Sequence, residues 1–160
     1  MTAPKPSDSR GHNDTWHVLA ELSVPSEPGN ERHATEVVAG AIKNVGLAGQ
    51  RLERLKTAVG EATMNAMEHG NKYRPEVPVE VRVEVVERDL MVRITDRGSG
   101  PPPSRGGDVP DLEAKLEGMQ TPRGWGLFLI KSMVDDMNIT GDDGHHTIEL
   151  VVHLGAEGGK

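Results

Sequence analysis

The sequence predicts an α+β sandwich, with helices on one face of a mixed, largely antiparallel sheet. Two observations predict this class. Apolar and polar residues alternate in Trp16–Val24, Val77–Val86 and Thr147–Leu154, which is the period of strands. Apolar residues recur at helical spacing in Glu31–Val45, Leu52–Met67 and Leu127–Met137. The resulting order is strand, helix, helix, two strands, a long insert, helix, two strands.

Each element has its own signals. Residues 1–14 are polar and rich in Pro, Ser and Gly, and read as a disordered tail. The first strand, Trp16–Val24, is closed by Pro25 and Pro28. In the first helix Ala34, Val37, Val38, Ala41, Ile42 and Val45 form one stripe, which Gly46 ends. The second helix turns Leu55, Ala58, Val59, Ala62 and Ala66 inward. Its stop is His69-Gly70-Asn71, with Gly70 expected as a left-handed cap. Val77–Val86 and Leu90–Thr95 are joined by the short polar Glu87-Arg88-Asp89, which predicts an antiparallel hairpin. Residues 101–123 are rich in Pro and Gly without a core pattern, the signature of a lid. The third helix directs Leu127, Ile130 and Val134 inward. Two strands, Asn138–Thr140 and Thr147–Leu154, turn at Gly141-Asp142-Asp143-Gly144. Residues 155–160 read as a flexible end.

Length and charge bound the function. A chain of 160 residues suggests one domain, here placed at residues 15–154, and buries roughly 68–70% of its unfolded surface. The formal net charge of -7 argues against direct nucleic-acid binding and against anionic membranes. There is no cysteine, hence no disulfide and no thiolate metal site. With no run of 18 apolar residues and no signal-peptide core, a cytoplasmic protein is expected.

The chemistry concentrates in EATMNAMEHG, residues 61–70. Glu61, Asn65 and His69 recur every four residues and share one face of a helix. A carboxylate, a carboxamide and an imidazole are poor material for a core. Asn65 offers one neutral oxygen, which suits an Mg²⁺ already held by a triphosphate. Glu61, one turn earlier, can orient or deprotonate an attacking hydroxyl or water. Taken alone, these residues also read as a solvated helix face closed by a cap. Asp96 ends a strand and precedes Gly98 and Gly100; it can accept a hydrogen bond from the exocyclic amine of a base, or form an ordinary Asp-Gly turn. Gly124 and Gly126 immediately precede the third helix, where free N–H groups attract phosphate. His145 and His146 are adjacent, so on a strand they point to opposite faces and do not form a metal site together.

With these motifs the chain resembles the GHKL ATPase superfamily (gyrase, histidine kinases, MutL) and its Bergerat nucleotide-binding fold. Small size and the E-A-x-x-N-A-x-x-H-G pattern are most similar to the anti-sigma factor serine kinases of the RsbW type. The resemblance covers about residues 15–154. It implies Glu61 as general base, Asn65 as Mg²⁺ ligand and Asp96 as the partner of the adenine amine. Gly98 and Gly100 would shape the base pocket, and Gly124, Gly126 and Leu127 would close over the phosphates. His69 is counted with the nucleotide-binding residues. Thr147 matches the family threonine near the adenine, and Arg105 and Arg123 are implied as γ-phosphate partners. ATP and Mg²⁺ are the implied ligands.

The implied function is phosphorylation of Ser or Thr on an anti-sigma factor antagonist, with sequestration of a sigma factor by a homodimer. Two other readings stand beside it: a nucleotide-dependent binding switch with little phosphotransfer, and a detached histidine-kinase catalytic domain. The absence of a phosphoacceptor helix pair speaks against the last. Three features depart from the family pattern: Pro101-Pro102-Pro103 after Gly100, Trp125 between two glycines, and His145-His146 where a glycine usually precedes the threonine.

Overall fold

The alternating valines after Pro78 form a strand whose inward members, Val79, Val81 and Val83, are sealed from solvent. This strand is the second in a computed structural model that describes residues 16–98, 123–141 and 144–154. The elements are β1 (His17–Val24), α1 (Asn30–Ala41), α2 (Gly49–Asn65), a π turn (Ala66–Gly70), β2 (Val79–Val86), β3 (Asp89–Asp96), α3 (Arg123–Met133), β4 (Asp136–Gly141) and β5 (His146–His153). The expected tail, lid and C-terminal segment lie outside the described residues, apart from Arg123.

The five strands form one sheet in the order β1-β2-β3-β5-β4. Every neighbouring pair is antiparallel, so the described sheet is wholly rather than largely antiparallel. Register runs unbroken from Val81 through Ile94 to Ile148, and from Val83 through Val92 to Leu150. These rows face α1, α2 and α3 and merge with the helix stripes into one core. Leu55, Ala58, Val59 and Ala62 are at most 1% exposed, as their spacing predicts.

The other sheet face carries charge. Glu21, Arg82, Arg93 and Glu149 stand side by side on four strands. Arg82 pairs with Glu21 at 3.2 Å and with fully buried Glu84 at 3.0 Å, while Arg93 pairs with Glu149 at 3.0 Å. A sheet with one apolar and one ionic face needs helices on one side only.

Several boundaries move from their expected places, for identifiable reasons. α1 stops at Ala41 because its hydrogen bonds tighten: Lys43 N–H bonds Gly40 O and Val45 N–H bonds Ile42 O, three residues back. Gly46, at φ +88°, then reverses the chain. α3 spans 123–133 rather than 127–137. Its C-terminal end is cut short because Asp135 N–H already bonds Val151 O at 3.0 Å, committing the chain to the sheet. β4 is correspondingly longer than the expected Asn138–Thr140, β5 keeps its expected length but starts one residue earlier, and the two pair from Asp136–Val151 to Gly141–His146.

Candidate functional site

The end of α2 organises the site. Beyond Asn65 the helix widens into the π turn, with Asn71 N–H bonded to Ala66 O at 2.9 Å, five residues back. Such single π turns recur at functional sites because they re-aim side chains without breaking a helix. Here the turn ends the repeat of four. Glu61 and Asn65 stay on one α-helical face, whereas His69 belongs to the widened turn and lies with its Nε2 3.9 Å from Glu68 Oε1.

Gly70 was expected to be a left-handed cap, and it is not. The positive φ values fall on Lys72 and Tyr73 instead, at 57° and 54°. Gly70 serves close approach. The Asp96 carboxylate lies directly against it, and a Cβ at Gly70 would sit 2.7 Å from Asp96 Oδ1. Gly98 packs on the same spot, where a Cβ would come within 2.6 Å of Gly70 O. The Gly98 N–H donates to Asp96 Oδ1 at 2.8 Å. Asp96 is 3% exposed, so a carboxylate at a strand end is held in a pocket built from two glycines.

Glu61 and Asn65 meet the other end of the site. Gly126, in the first turn of α3, approaches them so closely that a Cβ there would lie 3.1 Å from Asn65 Nδ2 and 3.3 Å from Glu61 Oε2. Gly124 and Gly126 thus sit inside the first helical turn and not before it. The first four N–H groups of a helix lack intrahelical acceptors, so this turn still presents donors beside Glu61 and Asn65. Burial, and then the negative charge of Glu68, raises the Glu61 carboxyl above its ordinary value of 4.5.

Asn65 is 5% exposed, and its amide nitrogen has no hydrogen-bond partner among the described residues. That N–H is a donor left for an acceptor oxygen, while the Oδ1 of the same amide is the atom a hard cation would take beside waters and phosphate oxygens. Among the described residues no group of three His, Asp or Glu gathers as a metal cage. The one neutral oxygen that Asn65 offers is of the kind that fits an Mg²⁺ otherwise held by a phosphate chain.

The remaining expected residues divide. Leu127 is 1% exposed and belongs to the core, so its side chain anchors α3 and does not reach toward phosphates. Thr147 lies on the charged face of the sheet, where its hydroxyl bonds Thr95 Oγ1 at 2.9 Å. Its place on the site face is taken by His146, because neighbouring strand residues point to opposite faces. A cavity of about 590 Å³ on that far face is lined by Thr147, Thr95, Arg82 and Arg93, and is separate from Asp96. Arg123 and Gly124 open α3. Gly100 and Arg105 lie outside the described residues.

Two residues escape a reading of motifs alone. Asn71 is fully buried and its Oδ1 accepts Arg97 N–H at 2.8 Å, one residue past Asp96. Its Nδ2 donates to Val77 O and to Ser26 Oγ, which ties the loop after the π turn to the chain following β1. His146 is the second, 4% exposed beside Asp96. The signal for Asn71 is its position directly after His69-Gly70; that for His146 is the departure from glycine.

Among the described residues no helix is long and apolar enough to cross a membrane. The sequence model of the histidine kinase-like ATPase domain matches residues 24–152. The chain is 28% identical over 132 residues to the serine-protein kinase RsbW of Listeria innocua, covering 81% of this chain and 84% of that protein. It is 25% identical over 122 residues to the anti-sigma F factor of Clostridium botulinum, covering 72% and 80%. Among solved structures, that of the RsbU and RsbW domains of a Mycobacterium tuberculosis protein superposes with a TM-score of 0.61 at 15% identity. The match takes in 84% of this chain and 32% of that one, and likeness at this identity speaks for the fold alone.

Proposed function

The chain belongs to the histidine kinase-like ATPase family, and we propose that it is an ATP-dependent anti-sigma regulator. In this reading it phosphorylates a serine or threonine of a small antagonist protein and sequesters a sigma factor when that antagonist is unavailable. ATP binding follows from the family. Mg²⁺, the partners and the transfer step belong to the proposal. The relatives named serine-protein kinase and anti-sigma F factor support it.

The observation that carries the reading is the approach of Gly126 to Glu61 and Asn65, with Asp96 of β3 held against Gly70 at the end of the π turn. Asp96 accepts the amine of the adenine. Asn65 would hold Mg²⁺, which supplies neutralisation of charge on the transferring phosphoryl group when bound. N–H groups of the first turn of α3 receive phosphate oxygens. Glu61 takes the proton of the attacking hydroxyl, and its raised pKa brings it nearer to the working pH of a general base. Oxygen of the antagonist's Ser or Thr attacks the γ-phosphorus, ADP leaves, and the proton passes to the carboxylate.

The test is incubation with labelled ATP, Mg²⁺ and candidate antagonist proteins encoded by the same organism. Transfer of label to a Ser or Thr is the expected result. Label that never moves, while ATP and a sigma factor still bind, would replace the kinase by a nucleotide-dependent switch.

A further inference from the structure

Asn71 follows Gly70 at the end of the π turn and is fully buried. A buried amide needs partners at both ends, and Asn71 finds them on three separate segments. Its Nδ2 lies within hydrogen-bond reach of Ser26 Oγ at 3.1 Å, just past β1, and of Val77 O at 3.0 Å and Pro78 O at 3.2 Å, just ahead of β2. Its Oδ1 accepts the Arg97 N–H at 2.8 Å, just past β3. The Ser26 hydroxyl closes the group by donating to Val77 O at 2.6 Å. The backbone of Asn71 is tied as well: its N–H closes the π turn on Ala66 O at 2.9 Å, and its carbonyl accepts the Arg74 N–H at 3.0 Å. Between these bonds stand Lys72 and Tyr73, at φ 57° and 54°, a left-handed conformation that persists only where the surroundings hold it.

The bond to Arg97 is the one that bears on the site. Arg97 is the first residue past β3, and its N–H takes an acceptor from outside the sheet. That acceptor fixes the peptide unit joining Arg97 to Asp96. The next N–H, of Gly98, returns to Asp96 Oδ1 at 2.8 Å. Gly70, the chain neighbour of Asn71, backs the same carboxylate. Asn71 thus holds the Asp96 seat twice, through its backbone the glycine behind the carboxylate and through its side chain the turn that carries it. The other hold on Arg97, its guanidinium 3.1 Å from Glu80 Oε2, is half-exposed on both sides and screened by solvent. We infer that Asn71 is a positioning residue for base recognition, which fixes the Asp96 carboxylate against Gly70 so that it selects a purine bearing an exocyclic amine. This rests on the proposed ATP site and adds to it a residue that sets its specificity.

The experiment measures dissociation constants of the full chain for ATP and for inosine triphosphate, which carries a carbonyl in place of the amine. Asn71→Ala removes the acceptor of Arg97. It is expected to weaken ATP by about tenfold, the scale of one hydrogen bond to a charged group, while inosine triphosphate changes less than about threefold. The ratio of the two constants then falls toward one. Asn71→Asp keeps an oxygen for the Arg97 N–H and loses the amide donors, so it is expected to melt below the wild type yet keep most of the ratio. Ser26→Ala breaks the same buried group on its far side and is expected to lower the melting temperature with the ratio unchanged. Asn71→Ser, whose hydroxyl is too short to reach Arg97, replaces the alanine variant if that one does not fold. A wild-type ratio without the Asn71 amide overturns the assignment, and so does a ratio lost as fully in Ser26→Ala or Asn71→Asp, since a merely structural group would weaken both nucleotides alike in every variant. A wild-type chain that binds neither nucleotide, or both equally, overturns the reading of Asp96 in the ATP site itself, which separates the two failures. Melting curves confirm that folded protein is compared.

Discussion

A carboxylate that sits half-buried near another negative charge is a costly group, and Glu61 is the clearest case in this chain. Its pKa is raised by burial first and by Glu68 second. The native state therefore binds its proton more tightly than the unfolded chain does. Ionisation of Glu61 costs stability, and the cost grows as pH rises from the ordinary value of 4.5 through the raised one. Glu61→Gln removes that cost. It is expected to melt above the wild type at neutral pH, with the difference vanishing at about pH 4 and below, where both forms are uncharged. The same variant cannot accept a proton, so phosphotransfer should fall by about 10²–10⁴-fold while ATP affinity is kept. Calorimetric melts at several pH values read the first effect, and label transfer reads the second. A variant that is both no more stable at neutral pH and fully active would remove Glu61 from the chemistry. Asp96→Asn tests the opposite end of the site. An amide presents a donor on one side where the adenine amine needs an acceptor, so ATP affinity should drop by about 10- to 100-fold in the folded variant. Unchanged titration curves would leave Asp96 as a turn residue only.

At the scale of elements, the decisive contact is between α2 and the first turn of α3. Glycine in a helix normally costs about 1 kcal/mol against alanine. Gly126 is kept in a helical turn because a Cβ there would press on Asn65 and Glu61 at 3.1 and 3.3 Å. Gly126→Ala is therefore expected to leave the melting temperature within a few degrees or raise it, since the helix gains propensity. Phosphotransfer should nonetheless fall by about tenfold or more, because small displacements of catalytic groups are expensive. A fully active variant would show that α3 does not set the geometry of Asn65. The strands behave differently. Leu90 is fully buried in β3, six residues before Asp96. Leu90→Ala should cost about 2–5 kcal/mol in denaturant titrations through the cavity it leaves. Its ATP affinity, measured on the folded fraction, should stay near that of the wild type. A large loss of affinity would mean that the strand itself moves Asp96.

The whole molecule couples these pieces through one sheet. Its apolar face holds α1, α2 and α3, and its other face is a row of ion pairs around buried Glu84. The charged face has no helix against it among the described elements. ATP binding should stabilise the entire fold, because the site draws on α2, the π turn, β3, α3 and β5 together. Nucleotide at about 100 times its dissociation constant adds roughly 2.7 kcal/mol and raises the melting temperature. Melting curves that stay flat across millimolar ATP would contradict the site. We also expect the working form to be a homodimer, as the resemblance to anti-sigma kinases implies. Light scattering that gives a monomer at tens of micromolar protein would count against it.

Much of this protein was written in its sequence. The period of two in Val79–Val86 and the period near four in Leu55–Ala62 are consequences of strand and helix geometry, so the elements and the inward residues could be read directly. Glu61 and Asn65 were legible for the same reason, being one turn apart on a single helix. Asp96 was legible as a carboxylate at a strand end followed by glycines. What only the tertiary structure decided depends on pairing between distant segments. The face taken by Thr147 turns on the register between β3 and β5, and one residue of slip exchanges it with His146. The early end of α3 is set by Asp135 docking on Val151, which is not local. Gly70 shows the limit most plainly. The sequence marks it as a glycine at a helix end, where a left-handed turn is the local expectation. Only the arrival of Asp96, 26 positions later in the chain, shows that the missing side chain makes room for a carboxylate.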